Sequence, residues 1–183
     1  MKIETPMADT RWIPGFQGKY EIWFREAKAL IEAHQYPAAF KNYPFPAFAE
    51  TPWAPVCTPL AKGRLGIVST AAIYRRDVDP PFADTVEGDP QVLELPAEVQ
   101  KSELTTSHAH IPQDAILADV NVALPLDALR ELVGEKHIGE MAPRIFSLIG
   151  YRTRADEVAT QTATKIAAAM KDDGVTHALL VPV

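Results

Sequence analysis

Two histidines stand one residue apart in Ser107-His108-Ala109-His110, with the carboxylates Asp114 and Asp119 close behind. On extended chain a His-x-His pair lies on one face, and with either aspartate it would form a zinc-type ligand set. Alternatively, His108 is an acid/base or substrate-orienting group, with Ser107 beside it, or a structural histidine bonded within a sheet edge. Asp119 and Asn121 share a face if their segment is a strand, and otherwise form a turn-and-cap network. Ser69 and Thr70 close an apolar run and can line the same crevice. Arg75 and Arg76 follow it, suited either to a carboxylate substrate or to pairing with the acidic stretch after them. Cys57, between Pro55 and Pro59, has no helix N-terminus or neighbouring histidine to lower its pKa and reads as inert.

The elements that must position these groups follow from periodicity. Residues 1–16 read as an irregular arm. Tyr20, Trp23, Phe24, Ala27, Leu30, Ile31 and His34 predict an amphipathic helix over Lys19–Gln35, ended by Pro37. Pro37, Pro44, Pro46, Pro52, Pro55 and Pro59 predict an extended strap whose Tyr43, Phe45, Phe48 and Trp53 pack on the main domain. Arg64 to Thr70 has the branched, apolar composition of a buried strand. Residues 77–101, proline-rich and acidic, read as a solvated loop or as a lid. Strands are predicted at Leu104–Ser107, Val120–Leu124, Ile145–Ile149 and His177–Val181. One helix opens at Pro125 and stops at Gly134. Another starts at a capping box in Thr153-Arg154-Ala155-Asp156 and ends at Gly174. The alternation implies an α/β fold: a three-layer αβα domain with a mainly parallel sheet over 63–183, preceded by a helical, proline-rich arm over 1–62.

The composition narrows the function. The 183 residues carry a net charge of −6, 47% hydrophobic residues and one cysteine. The acidic balance argues against nucleic-acid binding, and the cysteine count against an internal disulfide framework. No run approaches the ~20 apolar residues of a membrane helix, and the N-terminus lacks the apolar core of a signal peptide. The cytoplasm is the expected compartment. The last strand is apolar throughout, as an interior parallel strand would be. Such a strand normally feeds a loop and a crossover helix; here it is followed only by Pro182-Val183. It is either an edge strand or the point where a functional loop should begin.

Several stretches, in order, carry a family resemblance. They are Arg64-Leu65-Gly66-Ile67-Val68-Ser69-Thr70-Ala71-Ala72-Ile73, Asp79-Pro80-Pro81-Phe82, Ser107-His108 and Asp119 through Leu132. Ile138-Gly139, Ala142-Pro143-Arg144-Ile145-Phe146-Ser147-Leu148-Ile149-Gly150-Tyr151 and Asp172 through Val183 complete the set. Together they resemble the selenoprotein B family of glycine, sarcosine, betaine and D-proline reductases. The resemblance spans about two-thirds of the chain, and residues 1–50 lie outside it. The family tends to carry glycines where Ala71 and Ala72 stand.

The resemblance implies a selenocysteine or cysteine directly after Val183 and a second cysteine a few residues on. The selenolate attacks a carbon bonded to nitrogen in a small amino-acid-type substrate, helped by a pyruvoyl-containing partner subunit. His108 and Asp119, within the matching stretches, are the catalytic candidates; Ser69, Thr70, Ser107 and Asn121, also within them, and Arg75, from its place after the first strand, are the substrate-binding candidates. No metal or dedicated cofactor is expected, and a homo-oligomer is. Because selenocysteine is encoded by UGA, a stop read at that codon would give a chain ending at Val183. Such a chain would be inactive in the reduction. Two other readings are a non-catalytic dimeric binding module and a small-molecule enzyme using His108 and Asp119.

Overall fold

In the computed structural model, residues 16–44, 54–85, 87–152 and 157–183 are described. The aromatic stripe folds into α1 (Phe16–Glu32), which buries Trp23 and Ala27, one turn apart. His34 takes a positive φ of 57° and turns the chain into α2 (Tyr36–Phe40), with Pro37 in its first turn. A proline there forfeits no helical hydrogen bond, so the strap begins helical rather than extended. The Trp23 indole Nε1 donates to the Ala39 carbonyl at 2.9 Å, and Tyr43 stands edge-on to Trp23 at 4.7 Å. Tyr43 thus packs within this helical unit. Phe45, Phe48, Trp53 and the Thr153–Asp156 capping box lie outside the described residues.

The chain divides into two compact units after Pro55. The second is an α/β unit on a four-stranded sheet of β1 (Arg64–Ser69), β3 (Leu93–Pro96), β5 (Glu140–Ser147) and β6 (His177–Val181). The strand order is β3-β5-β1-β6. β1 pairs in parallel with both β5 and β6, while β3 runs antiparallel to β5. A separate antiparallel ribbon joins β2 (Ile73–Arg75) to β4 (Leu104–Thr106). Alternation along the strands sends side chains to opposite faces. Leu65, Ile67, Leu95 and Ile145 pack with Leu126 and Leu129 of helix α4 (Leu126–Gly134). Val68, Phe146 and Leu148 pack with Ile166 and Met170 of α5 (Ala163–Asp172) on the other side.

Several local features differ from the pattern reading. Val120–Val122 is a 3-10 turn, not a strand, because the Asp119 side chain accepts from the Asn121 N–H and bends the backbone. A short helix, α3 (Asp114–Ala118), precedes it. Gly134 is the last residue of α4 rather than its stop; Lys136, at φ 63°, takes the left-handed turn. β3 arises inside the proline-rich loop, and its Pro96 is tolerated because β3 is an edge strand. Pro143 sits inside β5, where the register with β1 slips between Leu65 and Ile67, so no ladder bond is demanded of it. Gly174, at φ 71°, does end α5.

Candidate functional site

The order of connections locates the site. The chain leaves β1 and reaches β5 on one side with α4 against one face. It then crosses back over β1 to β6 with α5 against the other face. The direction of winding therefore reverses between β1 and β6, and in open α/β sheets ligands bind beyond the carboxyl ends of the strands at that reversal.

Three segments converge there. The Thr70 N–H donates to the Val181 carbonyl at 3.1 Å, and the Val183 N–H donates to Thr70 Oγ1 at 2.8 Å. The Gly150 N–H donates to the Thr70 carbonyl at 2.8 Å. A Cβ at Gly150 would lie 2.9 Å from the Val183 carbonyl oxygen, so only glycine allows this approach. The turn after β1 carries Ala72 at φ 51° with no exposed surface. This is the left-handed region that glycine occupies without strain. On the α5 side of the same edge lies an apolar hollow of about 480 Å³, lined by Val68, Leu148, Val158, Ile166, Met170 and Leu180.

His108 follows β4 and is 2% exposed. Its backbone N–H donates to Thr106 Oγ1, which itself donates to the Ala71 carbonyl beside the β1 turn. Nδ1 accepts from the His110 N–H at 3.3 Å, so the proton resides on Nε2. Nε2 is buried and has no hydrogen-bond partner among the described residues. Burial, then the nearby His110, pushes the imidazole pKa down, and the ring is neutral at pH 7. Chemically this is a buried N–H donor with an unfilled bonding capacity.

Ser147 makes a second such group, and one that the sequence reading did not single out. It pairs in register with Ser69, and its Oγ is buried with no hydrogen-bond partner among the described residues. No local signal marks it, because its place opposite Ser69 is a pairing between distant strands. Ser69 itself is fully engaged: Oγ donates to the Ala123 carbonyl at 2.9 Å and accepts from the Ala71 N–H at 3.3 Å. Ser107 Oγ accepts from the Phe82 N–H at 2.8 Å.

Other expected site residues sit elsewhere. The Arg75 guanidinium is taken bidentately by Asp79, through Nε–Oδ2 at 2.8 Å and Nη2–Oδ1 at 2.7 Å. That contact holds the Asp79 carboxyl below the usual carboxylate range. Asp119, Asn121 and Asp127 form one network at the start of α4: Asn121 Nδ2 donates to both carboxylates and Asn121 Oδ1 accepts from the Asp127 N–H. Asp119 and His108 share no hydrogen bond among the described residues. His110 stacks on Tyr151 at 3.8 Å and approaches Asp84 at 3.4 Å, so the two imidazoles do not converge on a common ion. Among the described residues no cluster of three or more His, Cys, Asp or Glu could hold a metal. Cys57 is exposed. The acidic stretch is packed down, with Phe82 buried against Ala72 and Ile149 and the Asp89 carbonyl held by Arg152.

The model of glycine/sarcosine/betaine reductase selenoprotein B matches residues 31–182. This chain belongs to that family. The match to selenoprotein B begins within α1 and so reaches further towards the N-terminus than the resemblance read from the sequence. The chain is 25% identical over 128 residues to the D-proline reductase subunit gamma of Acetoanaerobium sticklandii. That alignment covers 70% of this chain and 52% of the relative, so the chain spans about half the length of the curated relative it matches. No solved structure matches. Among the described residues, no helix is long and apolar enough to cross a membrane.

Proposed function

We propose that this chain forms the substrate-side wall of a reductase centre at the carboxyl edge of β1 and β6. In this reading a selenolate or thiolate directly after Val183 breaks a C–N bond of a small amino-acid-type substrate. A second thiol resolves the intermediate, and the whole works as a subunit beside a pyruvoyl-containing partner. The observation that carries the reading is the grip of Thr70 on Val183. It fixes the chain's direction at the winding reversal, where an α/β sheet presents its ligands. A residue after Val183 would be held beside Thr70 and Gly150 by backbone contacts already in place.

His108 has the role of a neutral donor from Nε2 to an oxygen of the substrate, since burial keeps it uncharged and unfilled. Ser147 is the second open hydroxyl of the wall. Ser69 and Ser107 hold the β1 turn and the Phe82 loop in place, and Thr70 holds the segment that bears the nucleophile. Asp119, Asn121 and Arg75 are not needed for this chemistry.

The codon after Val183 tests the reading directly. UGA or a cysteine codon is expected; any other sense codon, or UAA or UAG, refutes it. With that residue present, and a pyruvoyl subunit and a dithiol reductant added, reductive C–N cleavage is expected of one of glycine, sarcosine, betaine or D-proline, read as free ammonia or amine for the first three and as the ring-opened 5-aminopentanoate for D-proline. The chain through Val183 alone should cleave none.

A further inference from the structure

A second hollow, of about 440 Å³, lies away from the β1–β6 edge, between the start of β4 and α3. That volume lies within the range of small-molecule sites. Its floor is apolar: Leu104, Ile116 and Val120 are all buried. Its rim carries Arg76, Lys101 and Asp119.

The charges of the rim are unequally engaged. Lys101 is bound to Asp127 at 2.6 Å. Asp119 accepts both of its hydrogen bonds, from the Asn121 N–H and Nδ2, on Oδ1, which leaves Oδ2 open. Arg76 is anchored through its backbone N–H on the Glu103 carbonyl at 2.8 Å, yet its guanidinium has no partner among the described residues. Arg75, its neighbour, is closed by Asp79, so the two adjacent arginines are not equivalent. An open guanidinium on a concave wall is matched by a carboxylate, which can take two parallel N–H bonds from it. An open carboxylate oxygen opposite an apolar floor asks for a donor on the same ligand.

We infer that this hollow binds a small organic carboxylate with an apolar body and one hydrogen-bond donor. The carboxylate lies on Arg76, the donor on Asp119 Oδ2, and the body against Leu104, Ile116 and Val120. The inference does not rest on the reductase reading, because none of these residues lies at the β1–β6 edge. It gives Asp119 a task that its distance in bonding from His108 denies it at that edge.

Amide chemical-shift titration of the whole chain with 2-hydroxyisovalerate, isobutyrate and isobutyramide tests it. The hydroxy acid should saturate shifts at Ser102, Ala118 and Val120 with Kd of about 1 mM, a value typical of ligands with few contacts. Isobutyrate should bind several-fold more weakly and isobutyramide not at all. Arg76→Met should weaken the hydroxy acid by at least about tenfold, the loss expected for one charged hydrogen-bonding partner. Asp119→Asn should narrow the gap between hydroxy acid and isobutyrate. Lys171→Met, which removes an exposed cation on α5, should leave Kd unchanged. Unshifted amides far from the hollow in each variant would show that the fold is kept. Equal binding of the amide, no effect of Arg76→Met, or no saturation at tens of millimolar (about 50 mM) overturns the inference.

Discussion

Ser69 and Ser147 lie opposite each other on paired strands, both with no exposed surface, and their replacement by alanine should move stability in opposite directions. Ser69→Ala strips a partner from the Ala123 carbonyl and from the Ala71 N–H, both buried. At about 1–3 kcal/mol for each buried group left unpaired, and with the 3.3 Å bond the weaker, the loss is about 2–3 kcal/mol. Ser147→Ala removes a hydroxyl that has no partner among the described residues. Relief of that desolvation is worth about 1–2 kcal/mol, and the small void left behind returns about 0.3–0.5 kcal/mol of it. The net gain is about 1 kcal/mol. With a urea slope of about 2 kcal/mol/M, the midpoint should fall by about 1–1.5 M for Ser69→Ala and rise by about 0.5 M for Ser147→Ala. Amide exchange of β1 and β5, or far-UV dichroism, reads the transition of this sheet. Equal losses from both serines would mean that Ser147 Oγ is satisfied in solution. The picture of an open hydroxyl in the wall would then be wrong.

Ala72→Gly should change stability by less than about 1 kcal/mol, because relief of the positive φ offsets the lost buried methyl; Ala72→Val should cost about 3 kcal/mol or more, both read from urea midpoints. The depressed His108 pKa has a defined sign: between its folded and unfolded values the unfolded chain binds the extra proton. Stability should therefore be level above about pH 6.5 and fall as pH drops below it, and His108→Gln should flatten that slope in thermal melts across pH. Arg75→Met should return the Asp79 carboxyl to the ordinary carboxylate range, as followed by carbon-detected NMR titration; an unmoved value would show that other groups hold it down.

The α/β class was legible because β1, β5 and β6 bury branched residues and because α4 and α5 carry helical stripes. β3 was not, since an edge strand can include Pro96 and needs only one paired side, which leaves little mark on composition. Val120-Asn121-Val122 looks like a strand by residue type, but the Asx hydrogen bond of Asp119 outweighs that preference. At the site, His108 and Thr70 could be named from the ends of strands. Ser147 could not, because its significance comes from lying in register with Ser69, a long-range fact. Arg75 and Arg76 are indistinguishable in sequence; only Asp79, one helical turn further on, decides which of them stays open. The acidic loop read as solvated or as a lid because its anchors, Phe82 and Arg152, are contacts to distant residues.

The outer edge of β6 carries its own consequence. No described strand pairs with β6 on the side away from β1, Ala178 and Leu180 are exposed, and Leu180 is open over two-thirds of its surface, 67%. The strand has no charge after His177 to repel a neighbour. A parallel strand added there through a right-handed crossover would continue the direction taken from β5 to β6. Its connecting helix would then fall on the α5 side, directly over the apolar hollow beside Leu180. The open side of β6 thus sets the handedness and the seat of any parallel strand that pairs with it through such a crossover.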